Sequence, residues 1–175
     1  TEAQISQIET FFHSRGAKAS FDICPLADPG LTSTLSARGY RITEFNNVLV
    51  RRLNGMEITP TPRARRAGEY EEELWAYTVG RGFFDQHELT SEEMQVGRAI
   101  FEMPGAMCYL GSTGAGQVAA ASASTVRDGL ATLFADSTIA GFRRTGLHRE
   151  LIAARLHDAV AQGCVLATAS TLPGS

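Results

Sequence analysis

The stretch that decides the fold runs from Leu130 to Ser175, LATLFADSTIAGFRRTGLHRELIAARLHDAVAQGCVLATASTLPGS. Its first residues, 130–134, are apolar on both faces, which is typical of a central strand covered by two layers. After Gly146, apolar residues recur at helical spacing and predict an amphipathic helix: Leu147, Leu151, Ile152, Leu156, Ala159 and Val160. Gly163 is placed to end this helix, and residues 164–170 predict a short buried strand.

The loop before this helix, RRTGLH from Arg143 to His148, concentrates the chemistry of the stretch. The first N–H groups of a helix have no internal partner and lie at the positive end of the helix dipole, so they favour an anion such as phosphate. Gly146 lets the backbone approach that anion without a Cβ in the way. The alternative is a solvated helix start. Two arginines are unfavourable at the positive end of a helix, so an anion site explains them better.

The order of strand, basic glycine loop, helix and strand resembles the GNAT superfamily of acyl-CoA N-acyltransferases. Their pyrophosphate loop, Gln/Arg-x-x-Gly-x-Gly/Ala, joins the fourth strand to the third helix. Arg143 and Gly146 match this pattern, whereas His148 stands where a small residue is usual. The flanking segments DSTIAGFRRTG and GCVLATASTLPGS also resemble the strands on either side. The resemblance implies an α/β fold with a GNAT-like mixed, mostly antiparallel sheet and helices on both faces.

The same resemblance implies acetyl-CoA as co-substrate and a small-molecule or protein amine as acceptor. Main-chain groups of Asp136 and Thr138 would hold the pantetheine arm and the thioester carbonyl. Loop N–H groups would hold the pyrophosphate, from Arg143, Arg144, Thr145, Gly146, Leu147 and His148. We therefore expect Arg143→Glu to weaken coenzyme A binding while leaving thermal stability nearly unchanged.

No general base is identifiable from the sequence. The amine must lose a proton, because an alkylamine has a pKa near ~10.4. Asp136, Glu102 and Asp128 are candidates by residue type only. A catalytically inactive GNAT-like module that binds acyl-CoA or a protein partner is the alternative, and the departure at His148 favours it. A nucleotide-binding α/β domain fits less well, because no acidic ribose-binding residue follows the loop at the usual spacing.

Composition excludes several classes of protein. The chain has 175 residues with a formal net charge of −3, and this length suggests one domain or one and a half small ones. We expect neither a nucleic-acid nor a membrane partner, because there is no strong basic field and no long apolar run. The three cysteines are far apart and predict free core residues in a reducing, cytoplasmic compartment. The four histidines lack metal-ligand spacing, so no metal site is expected, and a homodimer is left open.

Residues 1–53 predict helix, strand, helix, strand and strand, with the strands at 17–24, 40–45 and 48–53. Asp28 is expected to cap the second helix, with Pro29 at its first position. This order resembles the closing half of a GNAT domain, so residues 1–53 are interpreted as a partial half-domain. Residues 54–69 are assigned as a linker with the first strand, which is expected over residues 56–61.

Residues 70–175 are assigned as the acetyl-CoA-binding region, without the final helix and strands. Two explanations stay open: the chain is a piece of a longer tandem protein, or its N-terminal half supplies the missing closing half.

Within this region, Trp75 is expected to anchor the core from a helix over 69–81, and Thr90 to cap a helix that runs to Ile100. Residues 106–110 and 117–125 predict a hairpin, whose Gly-rich turn lacks the Lys-Ser/Thr of a Walker motif. The arginines of the linker are interpreted as a solvated turn, with a phosphate role as the less favoured alternative: Arg63, Arg65 and Arg66.

Overall fold

The computed structural model describes residues 1–174, and the chain divides into two compact units, Thr1–Phe45 and the residues from Asn46 onward. The first unit contains helices α1 (Glu2–His13) and α2 (Pro29–Ala37). Asp28 caps α2 as predicted, since its carboxylate accepts a hydrogen bond from the Gly30 N–H at 2.7 Å. The interpretation of this unit as part of a GNAT-like half-domain stays a prediction.

Two strands predicted for the first unit do not form. Residues 17–24 and 40–45 carry no strand, although their side chains alternate between apolar and polar. Alternation describes a surface that fits a sheet, but a strand also needs a neighbour to pair with. Cys24 is exposed, so the prediction of three core cysteines holds only for Cys108 and Cys164.

The second unit is built on a six-stranded sheet. Its strands lie in the spatial order β1-β6-β5-β4-β3-β2, with bounds β1 (Asn47–Arg52), β2 (Ala64–Arg66), β3 (Met107–Ser112), β4 (Val118–Arg127), β5 (Leu130–Thr138) and β6 (Leu166–Thr171). Only β5 and β6 are parallel, so the sheet is mixed and mostly antiparallel, as predicted. The strand expected near residues 56–61 instead forms at β2, where it pairs with β3.

Helices cover both faces of this sheet: α3 (Glu72–Phe84), α4 (Ser91–Phe101) and α5 (Leu147–Ala161). Successive residues of β4 show the two layers. Ala120 packs with Leu147 and Leu151 of α5, whereas Ala121 packs with Trp75 of α3. Trp75 is fully buried and donates to the carbonyls of Tyr109 and Ser122 at 3.1 Å each, which confirms it as a core anchor.

The feature that positions the site is a separation of β5 from β6. The two strands pair only over Leu130–Leu133 and Leu166–Ala169, while β5 continues beside β4 to Thr138. A bulge interrupts the β4–β5 ladder, because Ala123 faces Phe134 but Ala121 already faces Ser137. Ala135 has a left-handed φ of 55° there. Beyond Leu133, no residue of β6 pairs with β5 in the described structure, so this edge of β5 has no neighbouring strand.

Candidate functional site

The loop that follows β5 turns the chain into α5 through two left-handed residues. A short 3-10 helix at Ala140–Phe142 comes first. Arg144 then has a φ of 65°, and Gly146, the N-cap of α5, has a φ of 90°. A Cβ on Gly146 would have space, with its nearest neighbour Arg63 Nη2 at 3.7 Å. Backbone conformation rather than crowding therefore requires glycine at this position.

Unsatisfied backbone donors collect at the start of α5. In the described part of the chain, the N–H groups of residues 144–149 donate no hydrogen bond, and no side chain caps the helix. The Glu150 N–H is the first to bond into the helix, to the Gly146 carbonyl at 3.1 Å. These free donors lie at the positive end of a fifteen-residue helix, an arrangement that favours a negatively charged group.

Arg63, for which a phosphate role was the less favoured alternative in the sequence, lies at the start of α5. Its guanidinium forms an ion pair with Glu150 in the first turn of α5, and Nη2 donates to the Thr145 carbonyl at 3.5 Å. Thr61 also donates to the Glu150 carboxylate. Burial raises the pKa of Glu150, but the hydrogen bonds from Thr61 and Arg63 outweigh it and leave that pKa below its usual value. The interpretation of Arg63 as part of a solvated turn is therefore revised.

Arg143 fastens the loop to the rest of the domain. Its Nε donates to the Thr138 carbonyl at 3.1 Å and its Nη2 to the Gly82 carbonyl at 3.0 Å. The guanidinium also pairs with Asp85 at 3.3 Å, while its own N–H donates to Ala140 at 3.1 Å. Arg143 is thus a structural link between β5 and α3 rather than a free anion ligand. Its replacement would cost stability, contrary to the prediction for Arg143→Glu.

Asp136 belongs to a buried charged cluster beside the bulge. Arg155 of α5, fully buried, donates to Asp136 Oδ2 at 2.9 Å and to the carbonyls of Ala123 and Leu151 at 3.0 and 3.2 Å. The His148 imidazole approaches the same carboxylate, with Nε2 3.2 Å from Oδ1. Burial raises the pKa of Asp136, but the hydrogen bonds from His148 and Arg155 lower it below its usual value. The carboxylate is therefore held as an anion and is a poor proton acceptor.

The other two carboxylates named as candidate bases lie elsewhere. Asp128 is in the turn between β4 and β5, at the opposite end of β5 from the loop, and its side chain is 91% exposed. Glu102 follows the last turn of α4 as its C-cap. Asp128 is therefore remote from the start of α5, and no described contact joins Glu102 to it.

The remaining predicted residues lie together at the end of β5. Thr138 pairs with Ala120, and its carbonyl is taken by Arg143. The Thr145 hydroxyl donates to the Phe142 carbonyl at 2.6 Å, which tightens the loop. Leu147 is 1% exposed and anchors the start of α5 in the core. Arg144 is exposed and forms neither a hydrogen bond nor an ion pair in the described structure.

Two further kinds of feature are absent from the described residues. Across residues 1–174, no group of three or more His, Cys, Asp or Glu is placed to hold a metal ion. Over the same residues, no helix combines the length and the apolar character needed to cross a bilayer.

Comparison with known proteins identifies the fold. No family model and no curated protein matches the sequence. A GCN5-related N-acetyltransferase from Kribbella flavida superposes with a TM-score of 0.70 at 21% identity, covering 95% of this chain and 63% of that one. A tandem GNAT protein from the clavulanic acid biosynthesis pathway superposes at 0.58 and 17% identity, covering 89% and 54%. The chain therefore spans between half and two thirds of these structures.

A third solved structure was determined with a ligand. It is AAC(6')-Iy in complex with the bisubstrate analog CoA-S-monomethyl-acetylneamine, with a TM-score of 0.50 at 16% identity, covering 64% of this chain and 80% of that one. Together these likenesses show that the chain has the GNAT fold.

Proposed function

We propose that this chain, which has the GNAT fold, binds acetyl-CoA and transfers the acetyl group to a primary amine. The observation that supports it is the row of free N–H groups at residues 144–149, where β5 leads into α5. A diphosphate offers the oxygens that such donors need. The AAC(6')-Iy structure holds a coenzyme A conjugate on the same fold, which supports this choice of anion.

In this proposal the loop donors from Arg144 to His148 hold the pyrophosphate, with Arg144 free to add its charge. Asp136 lies in the bulge, outside the paired residues of β4 and β5, and we assign its main chain to the pantetheine arm and thioester carbonyl. The Thr138 carbonyl is already occupied by Arg143, so Asp136 is the better placed of the two. Acetyl-CoA, when bound, supplies the activated thioester, and fixed backbone dipoles stabilise the charge that develops on its oxygen.

Two measurements on the purified chain test this function. Calorimetric titration with coenzyme A is expected to show one site, and acetyl-CoA with a panel of primary amines is expected to release free thiol. If coenzyme A does not bind, the loop assignment is wrong.

The second candidate is a module that binds acyl-CoA without turnover. The observation that favours it is the Asp136 carboxylate, whose pKa is lowered by its hydrogen bonds with His148 and Arg155, so that it is a weak base. Protection against thermal unfolding by coenzyme A, without thiol release from any amine, would select this candidate.

A further inference from the structure

The two edge strands of the sheet, β1 and β2, differ in how they are protected against pairing with another chain. β2 is three residues long and carries Arg65 and Arg66, of which Arg65 is paired with Glu71. Short, charged edges of this kind resist the addition of a further strand. β1 has six residues and contains neither a proline nor a lysine, so its edge lacks this protection.

β1 also exposes apolar side chains on both of its faces. Val48, Leu49 and Val50 are 64%, 58% and 64% exposed. Leu49 pairs with Ala169, which packs in the same cluster as Leu156 of α5, so Leu49 lies on the α5 side of the sheet and the two valines on the other. Three consecutive exposed aliphatic residues on an edge strand are typical of a surface to which a further strand binds.

The backbone groups on the open side of β1 are those of Val48 and Val50. The Leu53 N–H donates to the Val165 carbonyl at 2.9 Å, so the backbone of Leu53 points toward β6. Direction alternates along a strand, so Leu49 points the same way, and a threonine hydroxyl of β6 donates to its carbonyl at 3.1 Å. Val48 and Val50 therefore present their N–H and C=O groups to the side where no described strand pairs with β1.

This edge is complementary to a second copy of itself. Residues opposite each other in adjoining strands lie on the same face, so a two-fold axis perpendicular to the sheet must pass through one residue of β1. With Leu49 on the axis, Leu49 meets its own counterpart and Val48 lies opposite Val50 of the second copy. Each Val48–Val50 pair then exchanges both of its backbone hydrogen bonds, which are the groups that the open side presents.

Other registers fit less well. With Val50 on the axis, Leu49 would lie opposite Arg51 and Val48 opposite Arg52, and each would set an aliphatic side chain against a charged one. Only the register with Leu49 on the axis sets every aliphatic residue of β1 opposite another aliphatic residue. It also places Arg51 opposite Asn47, at the two ends of the pairing, so like charges are kept apart.

We propose that β1 pairs antiparallel with β1 of a second copy of this chain, with Leu49 on the two-fold axis, and so joins the two six-stranded sheets into one. The inference does not depend on the proposed acetyl transfer. A standard stable interface buries about 800 Å² per partner, and one strand edge buries less. The dimer is therefore reversible and dissociates in the micromolar range, which sedimentation velocity over a concentration series measures.

Two substitutions of one residue test the pairing. Val50→Lys sets a charge among the aliphatic pairs and is expected to raise the dimer Kd at least tenfold. Val96→Lys is the matched control, since Val96 is 57% exposed on α4, and is expected to change the Kd less than twofold. Val50→Pro removes an N–H that points away from β6, so the ladder inside the sheet is kept while the Kd rises at least tenfold.

Cysteine cross-linking tests the register. Cys24 is exposed, so the variants are made in a Cys24→Ser background. Leu49→Cys brings two thiols together in a pair without backbone hydrogen bonds, whose Cα atoms are about 4.5 Å apart, within the range of about 4.4–6.8 Å for a disulfide. Oxidation is expected to give a covalent dimer on non-reducing electrophoresis. Val48→Cys is the control and is expected to stay uncross-linked, because its counterpart lies two residues along the second copy.

Three outcomes would overturn this inference. The first is a chain that sediments as a monomer at every concentration of the series. The second is a dimer that Val50→Lys and Val96→Lys weaken equally, because the contact would then lie elsewhere. The third is cross-linking of Val48→Cys without cross-linking of Leu49→Cys, because the strands would then pair in another register.

Discussion

The buried side chain of Arg155 connects the elements around the proposed site through its hydrogen bonds. It lies on the buried side of α5, four residues after Leu151 and four before Ala159, where apolar side chains are expected. Each nitrogen of its guanidinium donates at least one hydrogen bond, to Asp136 or to one of two carbonyl oxygens. This cluster joins α5 to the bulge of β5, which is the place where the proposed thioester site and anion site meet.

Asp136→Asn is expected to destabilise the protein by about 3–5 kcal/mol, because it leaves Arg155 buried without its counter-charge. Urea denaturation at neutral pH measures the loss. Glu71→Gln is the control, since it breaks the more exposed pair with Arg65, for which a loss of about 1 kcal/mol or less is expected. Equal losses in the two variants would contradict a special role for the buried pair.

The Asp136–Arg155 pair should also make the free energy of unfolding of the unmodified protein depend on pH in the acid range. The pKa of Asp136 is lowered in the folded state, so its stabilising contribution is present above the unfolded value, near ~3.9. That contribution disappears as pH falls through the still lower folded pKa. Stability measured between pH ~5 and ~2 should therefore fall more steeply in the unmodified protein than in Asp136→Asn. Parallel curves would show that another group governs acid unfolding.

Arg144→Glu tests the anion site without disturbing the fold, because Arg144 is exposed and forms no hydrogen bond or ion pair among the residues described. We expect at least a tenfold rise in the Kd for coenzyme A with Tm nearly unchanged. Arg127→Glu makes the same charge change at the far end of β5, on a side chain that is 91% exposed, and should leave the Kd unaltered. Similar effects of both variants would indicate general electrostatics rather than a local site.

At the scale of elements, the contact between α3 and β5 is as close as two backbones allow. A Cβ on Gly82 would lie 2.8 Å from the Thr138 carbonyl carbon, and the Ser137 hydroxyl donates to the Val79 carbonyl at 2.8 Å. Arg143 reaches over this contact to the Gly82 carbonyl. The loop between β5 and α5 is thus attached to a rigid helix–strand pair, which keeps the N–H groups of residues 144–149 in place before any ligand binds.

The junction between the loop and α5 gives the prediction at this scale. Gly146→Ala is expected to cost about 1–3 kcal/mol and to weaken coenzyme A binding, because alanine disfavours a φ of 90°. Gly114→Ala, in an open hairpin turn with an ordinary φ, is the matched control and should be close to neutral. Thermal unfolding and calorimetry measure both properties. Unchanged coenzyme A affinity in a folded Gly146→Ala protein would separate the loop conformation from binding.

Across the whole sheet, burial is uneven. The residues of β4 from Ala119 to Ser124 are buried, whereas every residue of β1 is exposed. We expect hydrogen exchange to be slowest in β4 and the adjoining part of β5, and markedly faster in β1, since local opening costs least where few side chains are buried. Coenzyme A should add protection at residues 144–149. Protection elsewhere but not there would place the ligand at another site.

The elements that the sequence predicted are those with local causes. Thr90 and Glu93 form a capping box within three residues, Asp28 caps α2, and the helical spacing after Gly146 marks α5. The loop between β5 and α5 was recognised for the same reason, since a glycine and a basic pair precede an amphipathic helix.

The contacts that only the tertiary structure decided join residues distant in the chain. Arg63 and Glu150 are 87 residues apart, and an apolar cavity takes its walls from three separate elements, with Val79 on α3, Val96 on α4 and Ala135 on β5. The arginine within the apolar stripe of α5 was a signal in the sequence for a buried anion, but its partner could not be chosen among many carboxylates. Strand formation also depended on pairing. Residues 17–24 alternate between apolar and polar side chains but form no strand, whereas residues 47–52 form a strand because they pair with β6. Local chemistry fixes caps, turns and helix faces, while charge partners, cavities and strand pairs depend on which distant segments the folded chain brings together.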